Sequence, residues 1–427
     1  MQYCRDTIAA LDGYVPGEQP KDRRYIKLNT NENPYPPSPA VVAALAEISP
    51  QSLRLYPDPT ASALRTAAAE AFGVPADWIL CGNGSDDLLT IAVRTYVDQG
   101  GALACPDPTY SLYPVLAGIQ GAETIRIPLD EGFCEPRDMA ARAEGASLLF
   151  LARPNAPTGI CCPRSFVERL ACEFAGIVWV DEAYADFADD NCLDLVANHP
   201  NLIVSRTLSK SYSLAGIRLG FAVARPEQLR QMLKVKDSYN VGTLVQTLGK
   251  AALEDRQTAL NQCRRVRDTR ERLSNRLIEL GFGVLPSSAN FVFARPPVDA
   301  ARLQADLKEN GILVRHFPGR EPGTTSASPS EPTAKSKNSF TQPNACSNRQ
   351  HDPHFKAMKT APTIRKVSGF AEAERTAREE EEYLTPEQRL ELVQILRDEY
   401  SKFANSENES YATGKRLCRV ARIVQQA

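Results

Sequence analysis

Apolar positions along this chain follow two rhythms. Short runs of strand length occur at Trp78–Cys81, Ala102–Cys105, Ser147–Leu151, Ile177–Val180 and Leu202–Val204, most of them closed by a Gly, Pro or polar residue. Between them lie longer stretches with helical spacing: the alanine-rich Ser62–Phe72, then Leu88–Tyr96 and Phe166–Phe174. Strands separated by helix-length segments predict an α/β fold with a largely parallel sheet, which binds ligands at its carboxyl edge. The first 55 or so residues open with a helical patch, followed by Ile26–Asn29 and the turn-rich Asn31–Pro37. Several prolines fix the backbone there, so the segment reads as an ordered arm crossing a surface.

Three of the apolar runs deliver a polar residue at the carboxyl edge: Asn155, Asp181 and Lys210. Lys210 follows Leu202–Val204 and lies among small and hydroxyl residues, where a partly desolvated amine loses its proton readily and can form a Schiff base with an aldehyde. Thr207, Ser209 and Arg218 supply donors and a fixed positive charge suited to a phosphate. Aldehyde and phosphate on one molecule point to pyridoxal phosphate, although a lysine is far more often a solvated surface group. Gly82–Asp87 turns straight into a helix, so Gly84, Ser85 and Asp86 present free N–H groups to a phosphate, or else form a plain turn with Ser or Asp as N-cap. Tyr110, just past a strand, can stack on a flat ring or simply line the core rim. Asp181 suits a pyridine nitrogen, and Asn155 and Tyr184 suit a phenolic oxygen; strand-end acids also serve as caps and turn formers.

Composition narrows the partners. The 427 residues leave room for two or three domains, and a formal charge of -2 gives no reason to expect nucleic acid or an anionic membrane. No apolar run is long enough to span a membrane, and the N-terminus lacks a signal-peptide core, so a cytoplasmic protein is expected. Eleven cysteines without CxxC spacing, in a chain with no export signal, read as reduced and mostly buried thiols. The adjacent Cys161 and Cys162 form no metal-ligand pattern, and only four histidines occur, so no metal site is expected.

Together these motifs resemble the fold type I aminotransferases that use pyridoxal phosphate, and within them the histidinol-phosphate aminotransferases. The segments that carry the resemblance are Leu28–Pro34, Tyr56–Asp58, Gly82–Asp86, Pro154–Gly159, Asp181–Tyr184 and Ser209–Lys210 with Arg218, with Ser288–Phe291 and Gly311–Arg315 as small-domain strands. The resemblance implies a three-layer α/β/α large domain with a mostly parallel sheet, a smaller α+β domain, and a homodimer in which Tyr56 reaches the partner's cofactor phosphate. It further implies that Tyr110 stacks on the ring and that Gly84, Ser85 and Asp86 wrap the phosphate. Lys210 would hold the cofactor covalently and move the proton between substrate and cofactor carbons. The implied substrates are an amino donor, histidinol phosphate, and a 2-oxo acid acceptor, 2-oxoglutarate. Arg315 would bind the substrate phosphate or the distal carboxylate of glutamate; as a bare sequence feature it equally fits a surface residue. Related enzymes that act on aromatic amino acids or decarboxylate threonine phosphate share nearly all the cofactor residues.

After Arg315–Gly319 the family enters a strand of the type Leu-Arg-Ile-Thr-Val-Gly, whose arginine clamps the substrate. Here residues 321–357 are instead rich in Pro, Ser, Thr and Asn, which reads as a disordered linker. Ile364–Gly369 weakly echoes the family strand, with Arg365 as a substitute clamp. Phe370–Leu384 and the stretch opened by Thr385–Pro386 read as helices, and Lys415–Arg422 as a basic amphipathic end. The expected division is an N-terminal arm with part of the small domain (1–50), a cofactor domain (51–255), an incomplete small domain (256–320), a linker (321–357) and a helical extension (358–427). A fusion or frameshift would produce that order, and its rival function is a cofactor-binding protein, catalytically impaired, whose terminal helices bind a partner.

Overall fold

The computed structural model describes residues 3–317. The expectations for the linker, Arg365, the terminal helices and the basic end lie outside those residues.

Eleven strands are present among the described residues: β1 (Ile26–Lys27), β2 (Ile79–Gly82), β3 (Ala102–Asp107), β4 (Glu123–Pro128), β5 (Leu148–Ala152), β6 (Ile177–Asp181), β7 (Leu202–Thr207), β8 (Gly220–Val223), β9 (Gly283–Val284), β10 (Ala294–Arg295) and β11 (Ile312–Leu313). Seven form one sheet in the order β2-β8-β7-β6-β5-β3-β4. Pairing is parallel from β7 through to β4, and β8 runs antiparallel between β7 and β2.

Side-chain alternation divides the core in two. On one face Leu149, Leu151, Val178, Val180, Leu202 and Val204 pack against the helices Ser62–Phe72, Arg164–Glu173 and Thr243–Glu254. On the other, Leu148, Phe150, Ile177, Trp179 and Ile203 pack against Ser85–Tyr96, Leu112–Gln120 and Pro226–Met232. Both faces are covered, which is why these strands read as continuous apolar runs rather than alternating ones. Fully buried side chains such as Phe150 and Trp179 each contribute on the order of 2 kcal/mol, so the middle strands β5, β6 and β7 are firmly fixed.

A separate apolar cluster gathers Leu277, Phe282, Leu307 and Ile312, with Ile26 and Leu28 of the arm packed against it. There β1 pairs in parallel with β11, and β9 pairs antiparallel with β10. The helix Arg256–Glu279 contributes Ala259 to the large core and Leu277 to the small one.

Several elements differ from expectation. The helix-length segment from β6 to β7 folds as two 3₁₀ turns, Ala185–Phe187 and Leu193–Ala197, because the run Asp189-Asp190-Asn191 favours turns. Ser288–Phe291 is not a strand; the small-domain strand begins later, at Ala294. The helix after β2 starts at Ser85 rather than Leu88. That earlier start places the glycine turn directly at a helix N-terminus.

Candidate active site

At the carboxyl edge β5, β6 and β7 lie side by side, and their register pairs Ala152 with Asp181 and Asp181 with Ser205. Asn155, Asp181 and Lys210 therefore emerge from three adjacent strand ends.

Asp181 is buried and accepts hydrogen bonds from Tyr113 Oη at 2.9 Å, Ser205 Oγ at 3.2 Å and the Ala183 N–H at 3.3 Å. Ser205 Oγ in turn accepts from Trp179 Nε1 at 3.0 Å. Burial pushes the Asp181 carboxyl up to about 6, with the Asp86 charge adding to the rise, while the Tyr113 and Ser205 bonds hold it down. At neutral pH it is thus mainly a carboxylate, suited to hold a proton on a ring nitrogen.

Lys210 is half-buried. Its Nζ donates to the Thr30 carbonyl at 3.1 Å and lies 5.7 Å from the centre of the Tyr184 ring. The arm also grips the Lys210 backbone, since Asn33 Nδ2 donates to its carbonyl at 2.9 Å. Asn31, at a φ of 55°, donates from Nδ2 to Tyr184 Oη at 3.0 Å, and Phe291 meets the Tyr184 ring edge-on. The sequence patterns did not single out Asn31, Asn33, Tyr113 or Ser205 as site residues. Of these, Asn31 and Asn33 had a signal, as part of the Leu28–Pro34 segment of the family resemblance; Ser205 gains its place from the strand register that sets it beside Asp181.

The cradle lies beside β2 and β8. Gly84 takes a φ of 86° at the start of Ser85–Tyr96, a conformation that favours glycine. A Cβ there would stand 2.6 Å from Arg218 Nη2, and one on Gly220 would stand 2.7 Å from Gly84 C. Arg218 Nη2 pairs with Asp86 Oδ2 at 3.1 Å, and Nη1 donates to Ser209 Oγ at 3.3 Å. Thr207 Oγ1 is 3.0 Å from Ser209 Oγ, and Tyr110 Oη donates to Asp86 Oδ1 at 3.2 Å. Gly84, Ser85, Asp86, Tyr110, Thr207, Ser209 and Arg218 are therefore one connected group.

Three expected residues stand differently. Asn155 is buried, but both its amide protons are used within the protein, on the Pro108 carbonyl at 3.0 Å and on Thr158 Oγ1 at 3.2 Å. Tyr56 is 81% exposed and stacks on Tyr239 with ring centres 4.6 Å apart. Arg315 is exposed, and its Nη2 donates to the Val15 carbonyl at 3.1 Å. Next to Val15, Tyr14 meets Tyr110 edge-on with centres 5.9 Å apart. Arg315 thus adjoins the arm segment that meets Tyr110.

A family model described as aminotransferase class I and II matches residues 23–330. The chain belongs to the class I and II aminotransferases. This aminotransferase is 48% identical to the histidinol-phosphate aminotransferase of Synechocystis over 320 residues, covering 74% of this chain and 90% of that one. It is also 48% identical to the histidinol-phosphate aminotransferase of Syntrophotalea carbinolica over 321 residues, covering 74% and 91%. The crystal structure of histidinol-phosphate aminotransferase from Sinorhizobium meliloti in complex with pyridoxal-5'-phosphate superposes with a TM-score of 0.70 at 24% identity, over 75% of this chain and 91% of that one. The aminotransferase fold is therefore fold type I.

Enzymes of this family work with pyridoxal phosphate, and the residues here fit it. A helix N-terminus beside a guanidinium and two hydroxyls suits the phosphate, a buried carboxylate suits the pyridine nitrogen, and an amine lies between them and the arm. No group of three or more metal-ligating side chains occurs among the described residues. None of their helices is long and apolar enough to cross a membrane.

Proposed function

We propose that this aminotransferase transfers the amino group of L-histidinol phosphate to 2-oxoglutarate, giving imidazole acetol phosphate and L-glutamate in histidine biosynthesis, and that it works in the cytoplasm as a homodimer. The observation that carries the reading is the convergence of Lys210, Asp181 and the Gly84–Arg218 cradle at one sheet edge, in a chain that covers nine tenths of relatives named for that reaction.

Pyridoxal phosphate, when bound, supplies the electron sink that stabilises negative charge on the donor carbon. The Ser85 N–H, Ser209 Oγ and Arg218 would hold its phosphate, and Tyr110 would stack on the ring. Asp181 keeps a proton on the ring nitrogen, helped by Tyr113 and Ser205. Tyr184 Oη, oriented by Asn31, would bond the phenolic oxygen, and Asn155 would do so by exchanging one of its present partners. Lys210 Nζ, which now donates to the Thr30 carbonyl, would anchor the cofactor and, once the substrate amine had displaced it, would be free to carry the proton between the two reacting carbons. Arg315 receives the donor's phosphate or the acceptor's distal carboxylate. Residues 51–255 supply the cofactor site, and 256–320 with 1–50 supply the small domain, in keeping with the two separate apolar clusters. Val42, Leu45, Leu53, Leu55 and Tyr56 are all more than half exposed, an apolar surface that suits a second copy and would leave Tyr56 free to reach the partner's site.

Steady-state comparison of amino donors tests the reading. Histidinol phosphate should exceed phenylalanine in kcat/KM by roughly 100-fold or more, and Lys210→Ala should abolish turnover. Equal or better use of phenylalanine, or release of carbon dioxide from threonine phosphate, would assign the runner-up activities. Cofactor binding without turnover on any donor would support the impaired, partner-binding alternative.

A further inference from the structure

Behind the cofactor site lies a second row of charges that the reaction does not use. Alternation along β5, β6 and β7 puts Leu149 and Leu151, Val178 and Val180, Leu202 and Val204 on one face. The same alternation, two residues further, brings Arg153, Glu182 and Arg206 to that face at the carboxyl edge. The ladder reaches them, since the Arg153 N–H donates to the Asp181 carbonyl at 2.9 Å and the Glu182 N–H to the Ser205 carbonyl at 3.0 Å.

Their side chains form a row across three strands. Arg206 Nη1 lies 3.2 Å from Glu182 Oε2, and Arg153 Nη1 lies 3.7 Å from Glu182 Oε1. Side-chain exposures are 1% for Arg153, 0% for Glu182 and 7% for Arg206. Outer carboxylates complete the row: Asp190 on Arg153, and Asp186 on Arg206. Asp186 also accepts from Ser211 Oγ, the neighbour of Lys210, and Glu182 Oε1 accepts from the Cys192 N–H at 2.7 Å. Two guanidiniums around one fully buried carboxylate are a costly way to fill space, because apolar side chains of similar volume often stabilise a fold as well or better. The position is informative: Arg153 is two residues from Asn155, Glu182 adjoins Asp181, and Arg206 reaches the residue next to Lys210 through Asp186.

We propose that Glu182 is a positioning residue, and that the Arg153–Glu182–Arg206 clasp fixes the relative heights of the strand ends carrying Asn155, Asp181 and Lys210, and with them the spacing between ring-nitrogen partner and anchoring amine. The proposal rests on the cofactor reading above for the roles of those three residues, and not for the clasp itself.

The test compares Glu182→Gln with Leu277→Ala, a change in the separate small-domain cluster. Two readouts are taken: hydrogen exchange of the Arg153 and Glu182 amides in the cofactor-free protein, and circular dichroism of the bound cofactor, which reports how its ring sits against the site wall. Glu182→Gln should speed exchange at those two amides about tenfold or more relative to mid-strand amides of β5 and β6, and should change the dichroism of the bound cofactor. Leu277→Ala should lower overall stability and leave both readouts as in the wild type. If Glu182→Gln leaves both readouts unchanged, or changes them no more than Leu277→Ala does, the row is packing only and the proposal is overturned. Should Glu182→Gln not accumulate as folded protein, Arg153→Met, which keeps the Glu182–Arg206 pair, is judged by the same two criteria. A wild-type protein that took up no cofactor would defeat the functional reading, whereas the exchange result would still decide the clasp.

Discussion

The proposed cofactor side and the proposed substrate side of this site are built from different material. Lys210, Asp181 and the Thr207–Ser209 hydroxyls extend from strands that are buried on both faces, and each has partners from other elements. On the proposed substrate side, Arg315 lies beyond the two-residue strand β11, is exposed, and is held to the arm through the Val15 carbonyl. On the proposed reading, chemistry that every enzyme of this kind performs is held by the core, and choice of substrate is left to the periphery, where change costs the fold little.

The largest break in that contrast should come from Asp181→Asn. Turnover should fall roughly 100- to 1,000-fold, since the amide cannot hold the ring-nitrogen proton. The same change should stabilise the cofactor-free protein at pH 7 by up to about 3 kcal/mol, because the buried carboxyl titrates near 6 rather than at its ordinary 3.8. The folded state binds the extra proton between those values, so the wild type loses stability as pH rises from about 4 to 6 and does not regain it above. Denaturation at pH 7 and at pH 4 checks this: the advantage of Asp181→Asn should be present at the first and nearly gone at the second.

Arg218→Ala comes next. The Arg218–Asp86 pair is about two-fifths exposed, so its loss should alter folding stability by no more than about 1 kcal/mol. Cofactor affinity should weaken about 10- to 100-fold, the equivalent of one charged hydrogen bond to the phosphate, as read by fluorescence titration. On the substrate side, Arg315→Ala should raise KM for histidinol phosphate about tenfold and leave kcat within a few-fold, a split that steady-state kinetics resolves. The smallest effect belongs to Tyr113→Phe. Asp181 would lose one donor to its charged form, so the acid limb of the kcat/KM profile should move to higher pH, with about a threefold loss of rate at pH 7.

Legibility in sequence followed the same division. Asn155, Asp181 and Lys210 stand out because each ends an apolar run, and the sheet sets those runs side by side. Tyr113 does not stand out, because what matters about it is a bond to a residue 68 positions away, and Asn31 stands out only as part of Leu28–Pro34, its bond to Tyr184 spanning 153 positions. The helix-length link from β6 to β7 carries no helix signal to read: Phe187, Leu193, Leu195 and Val196 are buried, but the polar run between them folds as turns. Arg315 is suggested only by the family resemblance, since its bonded neighbour Val15 comes from the far end of the chain.

The most direct measurement is reduction of the cofactor-loaded protein with borohydride, followed by peptide mapping of the trapped label. The predicted result is one label per chain on the peptide containing Lys210, lost in Lys210→Ala. A label distributed over other lysines, or retained in that variant, would contradict the assignment of Lys210 as the anchor and with it the site built around the edge of β5, β6 and β7.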